Sequence, residues 1–270
     1  MSECRIRKKR SRIAAWGITF LLPLLLVFYS WFMEHRPRLH DSKEWNLQDT
    51  LIQNSDLLMA AVFLVLSLLP FYLMFDRRKA QARDLVPIAL MAAMCVVGRT
   101  AFSIVPLPNF KPVTAIVMIT GIAFGPEAGY LTGALAALLS NFLFGQGPWT
   151  PWQMLAFGVA GLVAGLLADA RVFPRANLSW PRRIALATVG FVLIVGLVGP
   201  ILDTSTFFYL STAPTPELAA VVYLAGLPVN AIHGAATALT LLVVANPLLD
   251  QLARVRVKYG LLDRSRSNCP

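Results

Sequence analysis

The sequence predicts an all-α integral membrane protein with about eight transmembrane helices. Of its 270 residues, 57% are hydrophobic and only 14% are charged, whereas about a quarter of the residues of an ordinary soluble domain are charged. Apolar stretches of about twenty residues, the length of a helix that crosses a bilayer, recur along the chain. The sequence lacks the alternation typical of strands in a membrane barrel, so we predict a polytopic helical protein.

Eight apolar segments define the predicted spans. The fourth is short, and we expect it to be tilted or partly buried among the others. The spans cover residues 13–33, 56–75, 85–106, 112–125, 127–144, 151–169, 183–202 and 229–249.

The distribution of positive charge predicts the topology. With the N-terminus inside, the predicted inner segments hold 19 of the 24 lysines and arginines, and the predicted outer loops hold four. This bias predicts a multi-pass protein of the bacterial cell membrane with both termini in the cytoplasm. Because the basic residues lie in short runs between apolar segments, the net charge of +10 indicates topology rather than a nucleic-acid partner.

The basic run DRRKAQARD, residues 76–84, divides the chain. We predict a two-span extension in residues 1–80, a six-span core in residues 81–252 and a basic cytoplasmic tail in residues 253–270. The run CRIRKKRSR before the first span resembles the start of a signal peptide. No small-residue cleavage site follows it cleanly, so we predict a first span that is not cleaved.

Small residues four positions apart recur in the predicted core. Such pairs let helix backbones approach closely, so we expect most of them to pack inside the protein. Ala89 and Ala93, on the first span of the core, could instead dock another membrane protein. The other pairs are Gly121/Gly125, Gly129/Gly133, Ala160/Ala164 and Gly161/Gly165.

Arg99 is the one basic residue inside a predicted span. It lies about 21 Å from the inner end of that span, at 1.5 Å per residue. An ionisable group at this depth costs free energy unless it is paired, which indicates a functional contact. The alternative is that its long side chain extends to the outer membrane interface.

Three other polar side chains lie near the outer ends of predicted spans. Asn141 could form an interhelical hydrogen bond or contact a ligand. Asn230 and His233 are three residues apart and therefore share one helix face. His233 could bind a ligand, or it could be a hydrogen-bonded histidine of the core.

The stretch FGQGPWTPWQM interrupts the apolar pattern. Its TPWQ segment fits a capping box, in which Thr150 caps a helix and Gln153 bonds back to the backbone N–H of Thr150. The indoles of Trp149 and Trp152 either mark the membrane interface or form a flat wall beside a ligand.

Motifs of the common membrane enzymes and ATPases are absent from the sequence. It has no GxxxxGK[ST] loop for ATP, no HExxH zinc motif and no GxSxG nucleophile elbow. No carboxylate lies in the middle of a predicted span, which disfavours a proton-coupled transporter. Three widely separated cysteines indicate neither a disulfide framework nor a metal site. We therefore expect a binding protein with an outward-facing site, no cofactor of its own and no ATPase motif.

Residues 109–169, NFKPVTAIVMITGIAFGPEAGYLTGALAALLSNFLFGQGPWTPWQMLAFGVAGLVAGLLAD, resemble the substrate-binding S components of energy-coupling factor (ECF) vitamin transporters. The upstream segments LVPIALMAAMCVVGR and FDRRKAQARDL extend the resemblance to about residues 57–250, and it is closest to the branch predicted to bind cobalamin. The resemblance implies a six-helix protein that captures a vitamin, here cobalamin, from outside. It also implies two kinds of partner, a transmembrane coupling protein and two cytoplasmic ATPase subunits. The N-terminal pair of spans departs from the six-helix pattern.

The resemblance further implies residue roles. In the family an AxxxA motif on the first core helix docks the coupling protein, and Ala89 and Ala93 match it, with Ala92 adjacent. The family's pocket is built from outer loops and helix ends. The implied substrate site contains Arg99, Asn109, Lys111, Asn141, Gln146, Trp149, Trp152, Gln153, Asn230 and His233.

Two alternatives remain open from the residues alone. The first is an S component for a different vitamin or a nucleobase-like micronutrient. The second is a stand-alone intramembrane enzyme, in which His233 would pair with a hydroxyl group such as that of Ser205 or Ser211.

Overall fold

A computed structural model of the chain describes residues 85–210 and 215–259, together with Leu21, residues 24–28, Leu58, Val62, Val65 and Leu66. The first two predicted spans, residues 13–33 and 56–75, lie almost entirely outside the described residues. The two-span extension and the total of eight spans therefore stay predictions.

The described part of the chain is helical throughout, without strands. A 3₁₀ turn at Phe102–Ile104 and a π-helical segment at Ile194–Val198 supplement the α-helices. The α-helices are α1 (Val86–Ala101), α2 (Val113–Phe124), α3 (Pro126–Phe144), α4 (Trp149–Asp169), α5 (Trp180–Leu193), α6 (Gly199–Leu210) and α7 (Pro216–Tyr259).

Four helical segments of the described chain are long and apolar enough to cross a membrane. These are Val86–Ile104, Trp149–Asp169, Trp180–Phe208 and Pro216–Lys258, while α2 is a shorter apolar helix. The predicted spans 85–106, 112–125, 127–144 and 151–169 coincide with helices to within a few residues.

The interval 203–228 between the last two predicted spans, for which the sequence predicts an outer loop, is helical over most of its length. Residues 203–210 continue a helical run that begins at Trp180, and α7 begins at Pro216. The run Trp180–Phe208 has 29 residues, about 44 Å at 1.5 Å per residue, which exceeds the roughly 30 Å of a hydrocarbon core. Hydropathy marks only the membrane-embedded part of such a helix, so the sequence placed its end too early.

The chain reverses tightly between α2 and α3. Gly125 has φ 110°, a conformation that side chains with a Cβ atom rarely adopt. Pro126 follows at the first position of α3, where its fixed φ suits a helix start and its missing N–H costs nothing. The turn therefore places α2 and α3 side by side and antiparallel.

Helix α2 lies at the centre of the described bundle. All of its residues from Val113 to Phe124 are buried, with α1, α3, α4 and α7 packed around it. This explains why the segment is short and apolar on every side, because a helix enclosed by other helices has no lipid-facing or water-facing stripe.

Glycines bring the backbones of α2, α3 and α4 into direct contact. A Cβ atom added at Gly121 would lie 2.1 Å from the carbonyl oxygen of Gly161, and one added at Gly129 would lie 2.6 Å from the Cα atom of Gly121. A Cβ atom at Gly165 would lie 2.4 Å from the Cα atom of Pro126. The predicted internal packing of the small-residue pairs is confirmed at these glycines.

We expect Gly161→Ala to lower the free energy of unfolding by about 1–3 kcal/mol, the usual cost of overpacking. The added Cβ atom would lie 2.4 Å from the carbonyl oxygen of Gly129, so α3 and α4 would have to separate. Thermal unfolding of the purified chain in detergent measures the effect. Gly196→Ala is the matched control, since nothing lies within 4 Å of a Cβ atom there. Equal losses of stability in the two variants would contradict the interpretation.

Candidate ligand-binding site

A cavity of about 460 Å³ lies at the end of the bundle where α1 ends and α4 begins. Its walls come from α1, the connection between α1 and α2, the first turns of α4, and α6 with the facing part of α7. Seven of the ten predicted site residues line it, namely Arg99, Asn109, Lys111, Trp149, Gln153, Asn230 and His233.

Asn141 does not line the cavity, but it forms hydrogen bonds with two residues that do, Arg99 and Gln153. Its side chain is 1% exposed. Its Oδ1 atom accepts a hydrogen bond from Nη1 of Arg99 at 2.8 Å, and its Nδ2 atom donates to Oε1 of Gln153 and to Oγ1 of Thr150, both at 2.9 Å. Asn141 therefore positions the cavity wall from behind rather than touching its contents.

The predicted capping box at TPWQ is wrong. Helix α4 begins at Trp149, after Pro148, and the backbone N–H of Thr150 donates to the carbonyl oxygen of Gly147 at 2.9 Å. Gln153 accepts from Asn141 instead of capping the helix. The buried amide of Asn141 needs acceptors inside the protein, and this requirement from a neighbouring helix outweighs the local capping pattern.

Gln146 shapes the loop and does not line the cavity. Its Nε2 atom donates to the carbonyl oxygen of Leu138 at 3.1 Å, and its Oε1 atom accepts from Oγ1 of Thr150 at 2.9 Å. Both ends of the amide are thus engaged within α3, α4 and their connection. The loop keeps its form through Gln146.

The two tryptophans of this stretch have different positions. Trp149 lines the cavity, and its ring lies so close to Gly147 that a Cβ atom there would be 2.5 Å from it. Trp152 is 5% exposed and stacks on Phe208, with ring centroids 6.0 Å apart. Trp149 borders the cavity, whereas Trp152 joins α4 to α6 in the core.

Arg99 lines the cavity, and its guanidinium is hydrogen-bonded to residues of α3. Its Nη1 atom donates to Oγ of Ser140 as well as to Asn141. Its guanidinium lies 4.8 Å from the ring centroid of Phe144, and Nζ of Lys111 lies 5.3 Å from the same centroid. Two cations therefore share one aromatic ring beside the cavity, an arrangement that cation–π attraction stabilises.

Lys111 lies in the connection between α1 and α2 and is partly buried. Burial, and after it the positive charge of Arg99, lowers the pKa of this ammonium group below its usual value. Both causes have the same sign, since low-dielectric surroundings and a like charge each disfavour the charged form. Among the described residues, neither Arg99 nor Lys111 forms an ion pair that would offset its positive charge.

His233 carries a buried ring nitrogen that faces no protein partner. The side chain is 4% exposed, its Nε2 atom is 2.8 Å from Oγ1 of Thr114, and its ring meets Phe157 edge-on at 6.3 Å. Among the described residues no group hydrogen-bonds to its Nδ1 atom. Leaving a buried polar atom unsatisfied costs about 1–3 kcal/mol, and His233 is also one of the residues that line the cavity.

Asp203 forms part of the opposite wall, which the sequence analysis missed. It lies in α6 and lines the cavity, and Nδ2 of Asn230 donates to its Oδ2 atom at 2.7 Å. The error followed from assigning this segment to an outer loop. A carboxylate inside an apolar run beginning at Trp180 was the available signal.

Thr114, Ser140 and Thr150 were also missed, because hydroxyl groups within apolar helices have no sequence signature. Each contacts a predicted site residue, respectively His233, Arg99 and Asn141.

The serine partner that the enzyme hypothesis assigns to His233 is not observed among the described residues. Ser205 lines the same cavity, but the hydroxyl group bonded to His233 belongs to Thr114. Ser211 lies outside the described residues. Within the described residues there is also no cluster of three histidine, cysteine, aspartate or glutamate side chains that could hold a metal ion.

The small residues of α1 divide between two faces. Ala89 and Ala93 are exposed, beside the exposed side chains of Leu90 and Val97. Ala92 is fully buried against the core. The structure therefore removes Ala92 from the predicted docking interface, because a partner cannot reach it, and keeps the other two.

A protein-family model described as "ECF-type riboflavin transporter, S component" matches residues 79–254. The matched region contains α1 to α6, most of α7 and the whole cavity lining. No solved structure matches the chain.

We expect Asn141→Ala to lower the free energy of unfolding by about 1–3 kcal/mol, because it leaves the groups around Arg99 and Gln153 without their shared partner. Thermal unfolding in detergent measures the change. Thr188→Ala is the control, since it removes an exposed hydroxyl that bonds only within its own helix. An Asn141→Ala variant as stable as the control would contradict the role given to Asn141.

Proposed function

The chain belongs to the ECF-type riboflavin transporter S component family, and we propose that it captures a flat, flavin-sized vitamin in the cavity described above. Members of this family are membrane-embedded substrate-binding subunits of vitamin transporters and not enzymes. The proposal rests on the cavity. Its lining includes the indole of Trp149, two cations, a carboxylate and an imidazole with an unsatisfied buried nitrogen, and all of these lie in the region that the family model matches.

The size of the cavity favours a flavin over a corrinoid. Its volume of about 460 Å³ lies in the range of roughly 300–1,000 Å³ that is typical of small-molecule sites. A three-ring flavin suits this volume, whereas the corrin macrocycle with its amide side chains is several times bulkier. The family description also names riboflavin. We therefore propose riboflavin or a close flavin relative, and cobalamin stays the prediction from the sequence resemblance.

The cavity lining can recognise both the face and the edge of the ring system of such a vitamin. The face of Trp149 can stack on a flat heteroaromatic ring. Asn230, Gln153 and the carboxylate of Asp203 can bond to donors and acceptors along the edge of the ring, since amides offer both. The imidazole of His233, which also lines the cavity, adds one further hydrogen-bonding group.

Energy for uptake would come from other chains. We propose that a transmembrane coupling protein and two cytoplasmic ATPase subunits drive release of the vitamin inside. Support for this comes from the absence of an ATP-binding loop in the sequence.

The end of the bundle opposite the cavity carries Arg171, Arg175, Arg182, Arg183, Arg254 and Arg256. By the positive-inside rule this end faces the cytoplasm and the cavity opens outward.

We expect the purified chain to bind riboflavin without ATP, and Trp149→Ala to weaken binding about tenfold through loss of the stacking face. Quenching of flavin fluorescence measures the affinity. Trp180→Ala is the matched control, because Trp180 is 61% exposed and lies at the opposite end of the bundle. Equal effects of the two substitutions would place the vitamin elsewhere.

Cyanocobalamin is measured in parallel on the same preparation. Binding of cyanocobalamin without binding of riboflavin would overturn the flavin assignment and leave the capture function in place. Binding of neither vitamin would contradict capture of both proposed vitamins.

Exposed alanines of α1 provide the proposed contact with the coupling protein. We expect Ala89→Leu combined with Ala93→Leu to reduce vitamin uptake about tenfold or more while leaving binding unchanged, because overpacking a helix contact typically costs about 1–3 kcal/mol. Uptake by cells that contain the coupling protein and ATPases is the measurement. Ala235→Leu, at another exposed alanine, is the control. Loss of binding in the double variant would show that these alanines support the fold instead.

A further inference from the structure

Arg99 and Lys111 place two positive charges on one wall of the cavity, and neither forms an ion pair with a carboxylate of the described residues. Arg99 and Lys111 both line the cavity and both lie over the ring of Phe144. In residues 85–210 and 215–259 the ion pair that forms is Arg175–Asp169, at the opposite end of the bundle. The carboxylate of Asp203 is on the facing wall, where Asn230 donates to it.

The partners of Arg99 are neutral and occupy only part of its guanidinium. Ser140 and Asn141 both accept from Nη1. A guanidinium has five N–H donors, so three are not engaged by the described residues, and the three donors of the Lys111 ammonium group have no hydrogen-bond partner among these residues either. Two like charges in a partly buried site repel each other and lose hydration, and an incoming anion relieves both effects.

We propose that Arg99 and Lys111 form an anion subsite that takes a phosphate or carboxylate group of the ligand. The proposal deepens the capture function above and rests on it. A phosphate group has three acceptor oxygens, which match the donors of an arginine and a lysine, and charge-assisted hydrogen bonds are roughly twice as strong as neutral ones. The subsite would fix the direction of the ligand, with its charged group at Arg99 and Lys111 and its ring toward Trp149 and Asp203.

Riboflavin and flavin mononucleotide test the subsite, since they differ only in the phosphate group. We expect the full-length wild-type chain to bind flavin mononucleotide at least about tenfold more tightly than riboflavin. Lys111→Gln and Arg99→Gln should each reduce this ratio toward one. Lys111→Gln keeps the experiment decisive if Arg99→Gln fails to fold, because Lys111 has no part in the Asn141 network. Arg182→Gln, at an exposed arginine of the opposite end, should leave the ratio unchanged.

The outcomes separate this proposal from the proposed function. Equal affinity of the wild type for the two flavins overturns the anion subsite and leaves vitamin capture intact, as does a ratio that survives both substitutions. If only a corrinoid binds, Lys111→Gln should weaken the binding of cyanocobalamin, whose nucleotide carries a phosphate, and leave unchanged the binding of dicyanocobinamide, which lacks the whole nucleotide; an equal effect on both overturns the subsite. If no vitamin binds, the capture function fails. Inorganic phosphate should still raise the unfolding temperature of the wild type more than that of Lys111→Gln at matched ionic strength, and equal shifts overturn the subsite.

Discussion

Backbone contact among α2, α3 and α4 is the constraint on which the rest of the described structure depends. Gly121, Gly129 and Gly161 lie so close together that any Cβ atom among them would overlap a neighbouring backbone. In lipid, packing rather than hydrophobicity holds helices together, so this close approach is the main source of cohesion between them. It also brings the end of α3 against the start of α4, where Asn141 reaches Gln153.

The hydrogen bonds around Asn141 position side chains of the cavity wall on the packed helices. An arginine within a membrane-spanning helix carries a large desolvation cost. Hydrogen bonds from Arg99 to Ser140 and Asn141, together with the ring of Phe144, offset part of that cost and fix the direction of the guanidinium. The same amide holds Gln153 on the neighbouring helix, so one buried residue positions two groups of the cavity wall.

The wall that faces this rigid unit is built differently. Helices α5 and α6 are joined without a loop by the π-helical segment Ile194–Val198. Helix α7 contains Pro228 within its length. Such irregularities leave backbone groups outside the regular pattern and occur frequently at functional sites. Pro228 directly precedes Val229, which lines the cavity, and Gly199 permits the side chain of Asn230 to pack against the α5–α6 run. A firm three-helix core thus faces a less regular helix pair across the proposed ligand.

By itself, the sequence determined the helical membrane class, four helices of the core to within a few residues, and seven of the residues that line the cavity. It did so because hydropathy, helix length and rare polar residues in apolar segments are local properties. Tertiary structure alone decided that Asn141, Gln146 and Trp152 support the wall, that Ala92 is internal, and that Asp203 faces the cavity from a helix. Those outcomes depend on which groups of distant segments meet, and a buried amide such as Asn141 takes the partners that packing brings to it.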